Sequence, residues 1–209
     1  MRNPKTSFDL NIKSLKELHE IHRIFELKMP AMDLSEVLRA EYVMIVSALD
    51  CYIHDIVRTK MKRLMFDNIA ISALPSHFSS FKIPLGKAKQ LLDAQTEEEK
   101  DAIVSQTLKE TLYKFSFESE QTVEQAMSYI GIKGVWTKLK PYMSMEPCDI
   151  KTNLNIIVRR RNSIAHQSDI SNLTTMEKDS ITRDDVDVVM EFIKKLVDGM
   201  DNIIVAQIP

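Results

Sequence analysis

Apolar positions recur at three- and four-residue intervals along most of this chain, a spacing that predicts a succession of helices. Ile12, Leu15, Leu18, His19, His22 and Phe25 define a first helix from about Ile12 to Lys28, which Pro30 stops. Asp33 or Ser35 is placed to cap a long second helix, whose core stripe reads Leu38, Tyr42, Ile45, Val46, Leu49, Ile53, Ile56 and Val57. Past Met65 the pattern decays, and Leu74 to Pro84 reads as an irregular connection. A short helix is expected over Lys87 to Leu92, and Thr96 followed by three glutamates opens another that runs to about Phe115. Thr122 to Ile130 continues the pattern until Gly131 and Gly134 break it, with one more turn over Val135 to Leu139 before Pro141. Asp149 is expected to cap a helix running through Asn162 toward His166. Thr182-Arg-Asp-Asp opens a last one, with Val186, Val189, Phe192, Ile193, Leu196, Met200 and Ile203 as its buried stripe.

Composition sharpens this to an all-α domain. The chain has 209 residues but only four glycines, which starves hairpin turns, and no Gly/Pro/Ser linker divides it, so a single domain is expected. The formal charge of −2 gives no global attraction to nucleic acid, so any phosphate contact must come from a local basic cluster. Cys51 and Cys148 lie far apart, and Cys51 sits in an apolar run where a reduced thiol packs as a small hydrophobe; no disulfide framework is expected. No signal peptide or membrane span is legible, which points to the cytoplasm.

The segment richest in chemistry is Ile156-Ile-Val-Arg-Arg-Arg-Asn-Ser-Ile-Ala-His166. On a helical wheel Leu154, Ile157, Val158 and Ala165 form an apolar stripe, and Arg161 falls inside it, where it must snorkel, pair or serve. The adjoining face carries Asn155, Arg159, Asn162 and His166 as one polar strip. These residue types suit a ribose phosphate: imidazole moves a proton near neutral pH, guanidinium grips phosphate oxygens in pairs, and an amide orients either one. The same residues could instead complement the carbonyls and dipole at a helix C-terminus, and spacing alone leaves both readings open.

The run Arg161-Asn162-Ser163-Ile164-Ala165-His166 resembles the R-N-x-x-x-H signature of HEPN ribonucleases, and Leu38 to His54 resembles the long early helix of the RiboL-PSP-HEPN branch with its Ser-Ala-Leu-Asp-x-Tyr-x-His pattern. The resemblance covers roughly Leu34 to Met65 and Asp149 to Ile204, and leaves about 70–147 as an unmatched helical insertion. It implies a HEPN-like helical bundle that dimerises with the motif helices facing each other and cleaves RNA without metal or cofactor, leaving 2′,3′-cyclic phosphate ends. Arg161, Asn162 and His166 map to its catalytic positions. Arg159 and Arg160 are extra basic residues for RNA, Arg159 on the strip shared with His166 and Arg160 in a solvated position.

An ideal helix separates Arg161 from His166 by about 140°, so either the helix distorts near Ser163 or Arg161 and His166 of two protomers combine in a homodimer, the option that fits the paired arrangement the resemblance implies. The resemblance also implies a defence or toxin role and a possible antitoxin or sensor partner; the alternatives are a non-catalytic HEPN module that binds RNA or protein, and a purely structural dimer.

On the second helix Ser47, Asp50, His54 and Arg58 form a polar strip, either lining the cleft or tied up locally through Asp50 and His54. His19 and His22 lie one turn apart with no third ligand near them in sequence, and are expected to be packed or solvated. No Gly-rich phosphate loop, G-x-S-x-G elbow or paired-cysteine motif is present.

Overall fold

A computed structural model describes residues 3–67, 69–79, 81–172 and 174–207. Its helices are α1 (Pro4–Lys28), α2 (Ser35–Phe66), α3 (Ser76–Ser79), α4 (Leu85–Asp93), α5 (Glu97–Leu112), α6 (Glu120–Tyr129), α7 (Val135–Met143), α8 (Pro147–Gln167) and α9 (Arg183–Gln207). Two short strands, β1 (Ile170–Asn172) and β2 (Glu177–Lys178), pair antiparallel between α8 and α9. The chain is all-α, as its composition requires.

Helix ends follow local chemistry. α1 begins at Pro4, earlier than the apolar pattern placed it, because the Asn3 side chain accepts from the Lys5 and Thr6 N–H groups and Pro4 brings a preset φ to the first turn. Thr96 and Glu99 close a reciprocal capping box on α5. Thr182 does the same for α9: its Oγ accepts from the Asp185 N–H at 3.2 Å while Asp185 accepts from the Thr182 N–H at 2.8 Å. α7 runs through Pro141 to Met143 instead of stopping before the proline.

The chain forms two compact units. The first comprises residues 1–52, 118–120 and 136–209, and the second residues 53–117 and 121–135, so α2 contributes to both. The first unit is built on Phe8, Ile12 and Leu15 of α1, Ile45 and Leu49 of α2, Leu154 of α8 and the full α9 stripe, all buried. Beside this core, buried His19 places Nδ1 2.6 Å from a carboxylate oxygen of fully buried Glu41, and His22 is buried as well. The imidazole meets one oxygen of the buried Glu41 carboxylate, while Oε1 has no hydrogen-bond partner among the described residues. In the second unit Ile53, Val57 and Met61 of α2 share an apolar core with Leu108 and Leu112 of α5 and Val123 and Met127 of α6. Cys51 is exposed, contrary to its apolar sequence context, because it falls on the outer side of α2.

Gly199 marks a close helix crossing. A methyl group there would stand 2.7 Å from Leu139 Cδ2 and 3.0 Å from Tyr142 Cβ, so α9 meets α7 too closely for a larger residue unless Leu139 and Tyr142 shift. Alanine would gain about 1 kcal/mol of helix propensity but overpack the contact, at a cost of about 1–3 kcal/mol. Gly199→Ala is therefore expected to lower stability, read as a reduced urea midpoint with an unchanged m value.

Candidate active site

α8 carries the whole basic motif. It starts with Pro147 at its first position and Asp149 inside the first turn, so the cap expected at Asp149 lies earlier, at Glu146. Leu154, Ile157 and Val158 turn into the core as the stripe required, while Ala165 is exposed near the helix end. The adjoining side presents Arg159, Asn162 and His166 to solvent, one above another on successive turns. Arg159 Nε donates to the Asn155 carbonyl at 3.3 Å, which keeps the guanidinium along the same strip.

Arg161 faces the other way. Its side chain is only 15% exposed, and its Nη2 is ion-paired with Glu118, from the connection between α5 and α6. Burial pushes the Arg161 pKa below the usual guanidinium range, and the nearby negative charge of Asp50 opposes that fall. The segment bearing Glu118 is tied to α8 at further points: the Glu120 N–H donates to Asn155 Oδ1 at 3.4 Å, and Lys151 Nζ lies 3.9 Å from the Glu120 carboxylate. Glu118 was not legible in the sequence; the available signal was the arginine itself, whose place on an apolar stripe demanded an acidic partner from elsewhere.

Arg160 is partly exposed but engaged, where the sequence suggested a freely solvated side chain. Its Nη2 lies 2.8 Å from Asp169 Oδ2 and 3.0 Å from the Ser180 carbonyl, and its Nη1 lies 3.3 Å from Asp179. Arg39 of α2 reaches the same Asp169 oxygen through Nε at 3.0 Å and the Asp179 carbonyl through Nη2 at 2.7 Å. Asp169 is fully buried and sits, with Ser168, in the left-handed region at φ 60° and 53°, where its N–H closes on the Ser163 carbonyl at 3.0 Å. Two guanidinium groups thus clamp the turn directly after the motif helix. Neither Arg39 nor Asp169 stood out in the sequence, since an aspartate after a helix reads as a surface turn.

The α2 strip divides. Ser47 is exposed, and Asp50 is half-buried and acts on Arg161 through its charge. In the second unit the His54 Nε2 lies 3.2 Å from the Phe115 carbonyl oxygen and its ring packs 4.7 Å from that of Phe117, while Arg58 pairs with Asp55 at 2.8 Å. His54 is therefore engaged with the segment after α5.

Against this geometry, the model of the family described as RiboL-PSP-HEPN matches residues 9–206. The chain belongs to the RiboL-PSP-HEPN family. No curated protein and no solved structure matches the chain. Membership in this HEPN-domain family suggests a ribonuclease-type or RNA-related module. Among the described residues, no helix of this family member is long and apolar enough to cross a membrane.

Proposed function

We propose that this RiboL-PSP-HEPN protein is a metal-independent endoribonuclease, acting in defence or as a toxin, with Arg161, Asn162 and His166 as its catalytic residues. The observation that carries this reading is the solvent-facing strip of Arg159, Asn162 and His166 on α8, next to an arginine ion-paired with a carboxylate. His166 exchanges protons with the 2′-hydroxyl and the leaving 5′-oxygen, Arg161 steadies charge on the phosphorane, Asn162 orients the phosphate and Arg159 binds the flanking backbone.

Arg161 turns inward while His166 turns outward on one helix, which supports a site assembled from two copies. Ile156 and Val188, 52% and 69% exposed, line a groove of about 950 Å³ along α8 and α9, on the side of α8 that carries Arg160 and not His166. The alternative, a non-catalytic module binding RNA or a protein partner such as an antitoxin or sensor, draws support from the pairing of Arg161 with Glu118, because a guanidinium so engaged has fewer donors for phosphate.

The chemistry proposed uses the ribose as nucleophile. Cleavage of total RNA is therefore expected to persist in EDTA and to leave 2′,3′-cyclic phosphate and 5′-hydroxyl ends. Products carrying 5′-phosphate, or activity abolished by the chelator, would exclude this mechanism, and intact RNA at micromolar protein would favour the binding module.

A further inference from the structure

Arg161 stands at the motif, yet what holds it lies outside the motif. Glu118 engages Nη2, and Nε is buried without an acceptor among the described residues, which leaves Nη1 and the second Nη2 N–H as the donors for a phosphate. A guanidinium is planar, so anchoring one corner against a carboxylate that is itself 9% exposed fixes the plane and aims the remaining corner. Glu118 in turn has little freedom to wander. Its segment is pinned to α8 through Glu120 by Asn155 and Lys151, and the preceding Phe117 is fully buried.

We infer that Glu118 is the positioning residue that orients the Arg161 guanidinium toward the phosphate. The catalytic consequence rests on the ribonuclease reading; the orienting contact does not. Charge alone argues for a geometric role. With Glu118 paired and Asp50 acting on the same cation, Arg161 contributes little net attraction to incoming RNA. Its usefulness then lies in direction, and loss of Glu118 should strike turnover more than affinity.

The test compares wild type with Glu118→Ala and Glu118→Gln in two measurements. In the first, cleavage of a defined RNA is followed over a range of RNA concentrations. Glu118→Ala should lose kcat by about 10²-fold. Its KM should change by no more than about twofold. Glu118→Gln keeps an oxygen that accepts from Nη2 and should recover most of kcat. In the second, the Arg161 Nε–H resonance, identified by its disappearance in Arg161→Lys, is followed in ¹H–¹⁵N spectra. It should be slow to exchange in wild type and Glu118→Gln and exchange-broadened in Glu118→Ala.

Unchanged kcat in Glu118→Ala overturns the proposal, and a raised kcat would make Glu118 a brake instead. Equal defects in a folded Glu118→Gln overturn it too. If wild type cleaves no RNA, the ribonuclease reading fails on its own, and the spectra still decide whether Glu118 orients Arg161: a resonance unaltered in Glu118→Ala rejects it.

Discussion

Protein carrying His166→Ala will lose RNA cleavage by about 10²–10⁴-fold, the range for removal of a group that moves a proton in the transition state. Its melting temperature should stay near that of wild type, because His166 is exposed on the last turn of α8 and takes no part in the core. Arg161 needs a different substitution. Alanine would leave Glu118 buried without its cation, so a loss of activity could reflect a damaged fold. Arg161→Lys keeps the charge and removes the planar fork, and should lower turnover by about 10²-fold or more. If each site draws Arg161 from one copy and His166 from the other, mixing the two inactive proteins restores one intact site per heterodimer. After subunit exchange at equal amounts, recovery of about a quarter of wild-type activity is expected. No recovery would mean that a site needs both copies of each residue or works within one chain. A monomer with full activity at micromolar concentration would dismiss the shared site.

The long helices were legible because their information is local. Every residue of the α2 stripe from Leu38 to Val57 and of the α9 stripe from Val186 to Ile203 is buried as its spacing required. Phe25 departs from the α1 pattern and is exposed near the helix end. The β1–β2 hairpin was not legible: it is short and mostly exposed, and its geometry depends on the Asp179 N–H reaching back to the Asp169 carbonyl at 2.9 Å. The motif strip on α8 could be read because helical period alone brings Arg159, Asn162 and His166 together. The partners of its arginines could not. Glu118 meets α8, and Arg39 meets the turn after it, through long-range packing, and a single sequence carries no mark of contacts between residues so far apart; Asp169 lies only nine residues from Arg160 but reaches it through a left-handed turn. Hence Arg160 read as solvated although it is clamped, and the sequence left open whether Arg161 snorkels, pairs or serves, its partner lying between α5 and α6.

The clamp after α8 predicts the largest effect on stability. Asp169 lies between Arg39, whose side chain is 6% exposed, and Arg160, and one carboxylate oxygen serves both cations. Asp169→Asn is the informative change, because asparagine tolerates the left-handed backbone and nearly matches aspartate in size, so the charge alone is removed. Two guanidinium groups would then face each other across a neutral amide with one of them buried; Arg39 keeps its 3.1 Å pair with Glu36, which holds the loss toward the low end of the about 3–5 kcal/mol that an uncompensated buried charge costs. Arg160 is partly exposed and can turn toward Asp179 or water, which places the expected loss at the lower end of that range. Asp179→Asn is the control. Its side chain is about half exposed, and its pair with Arg160 should be worth less than about 1 kcal/mol. Both are measured by urea unfolding, with Asp169→Asn also combined with Arg160→Met. Removing one of the two stranded cations should restore part of the lost stability, giving a coupling of about 0.5–3 kcal/mol between the sites. Because this turn fixes the end of the helix that bears His166, Asp169→Asn should also reduce RNA cleavage at temperatures where the protein stays folded. An Asp169→Asn protein that unfolds at the wild-type urea concentration would show that the clamp contributes nothing, whatever its effect on cleavage.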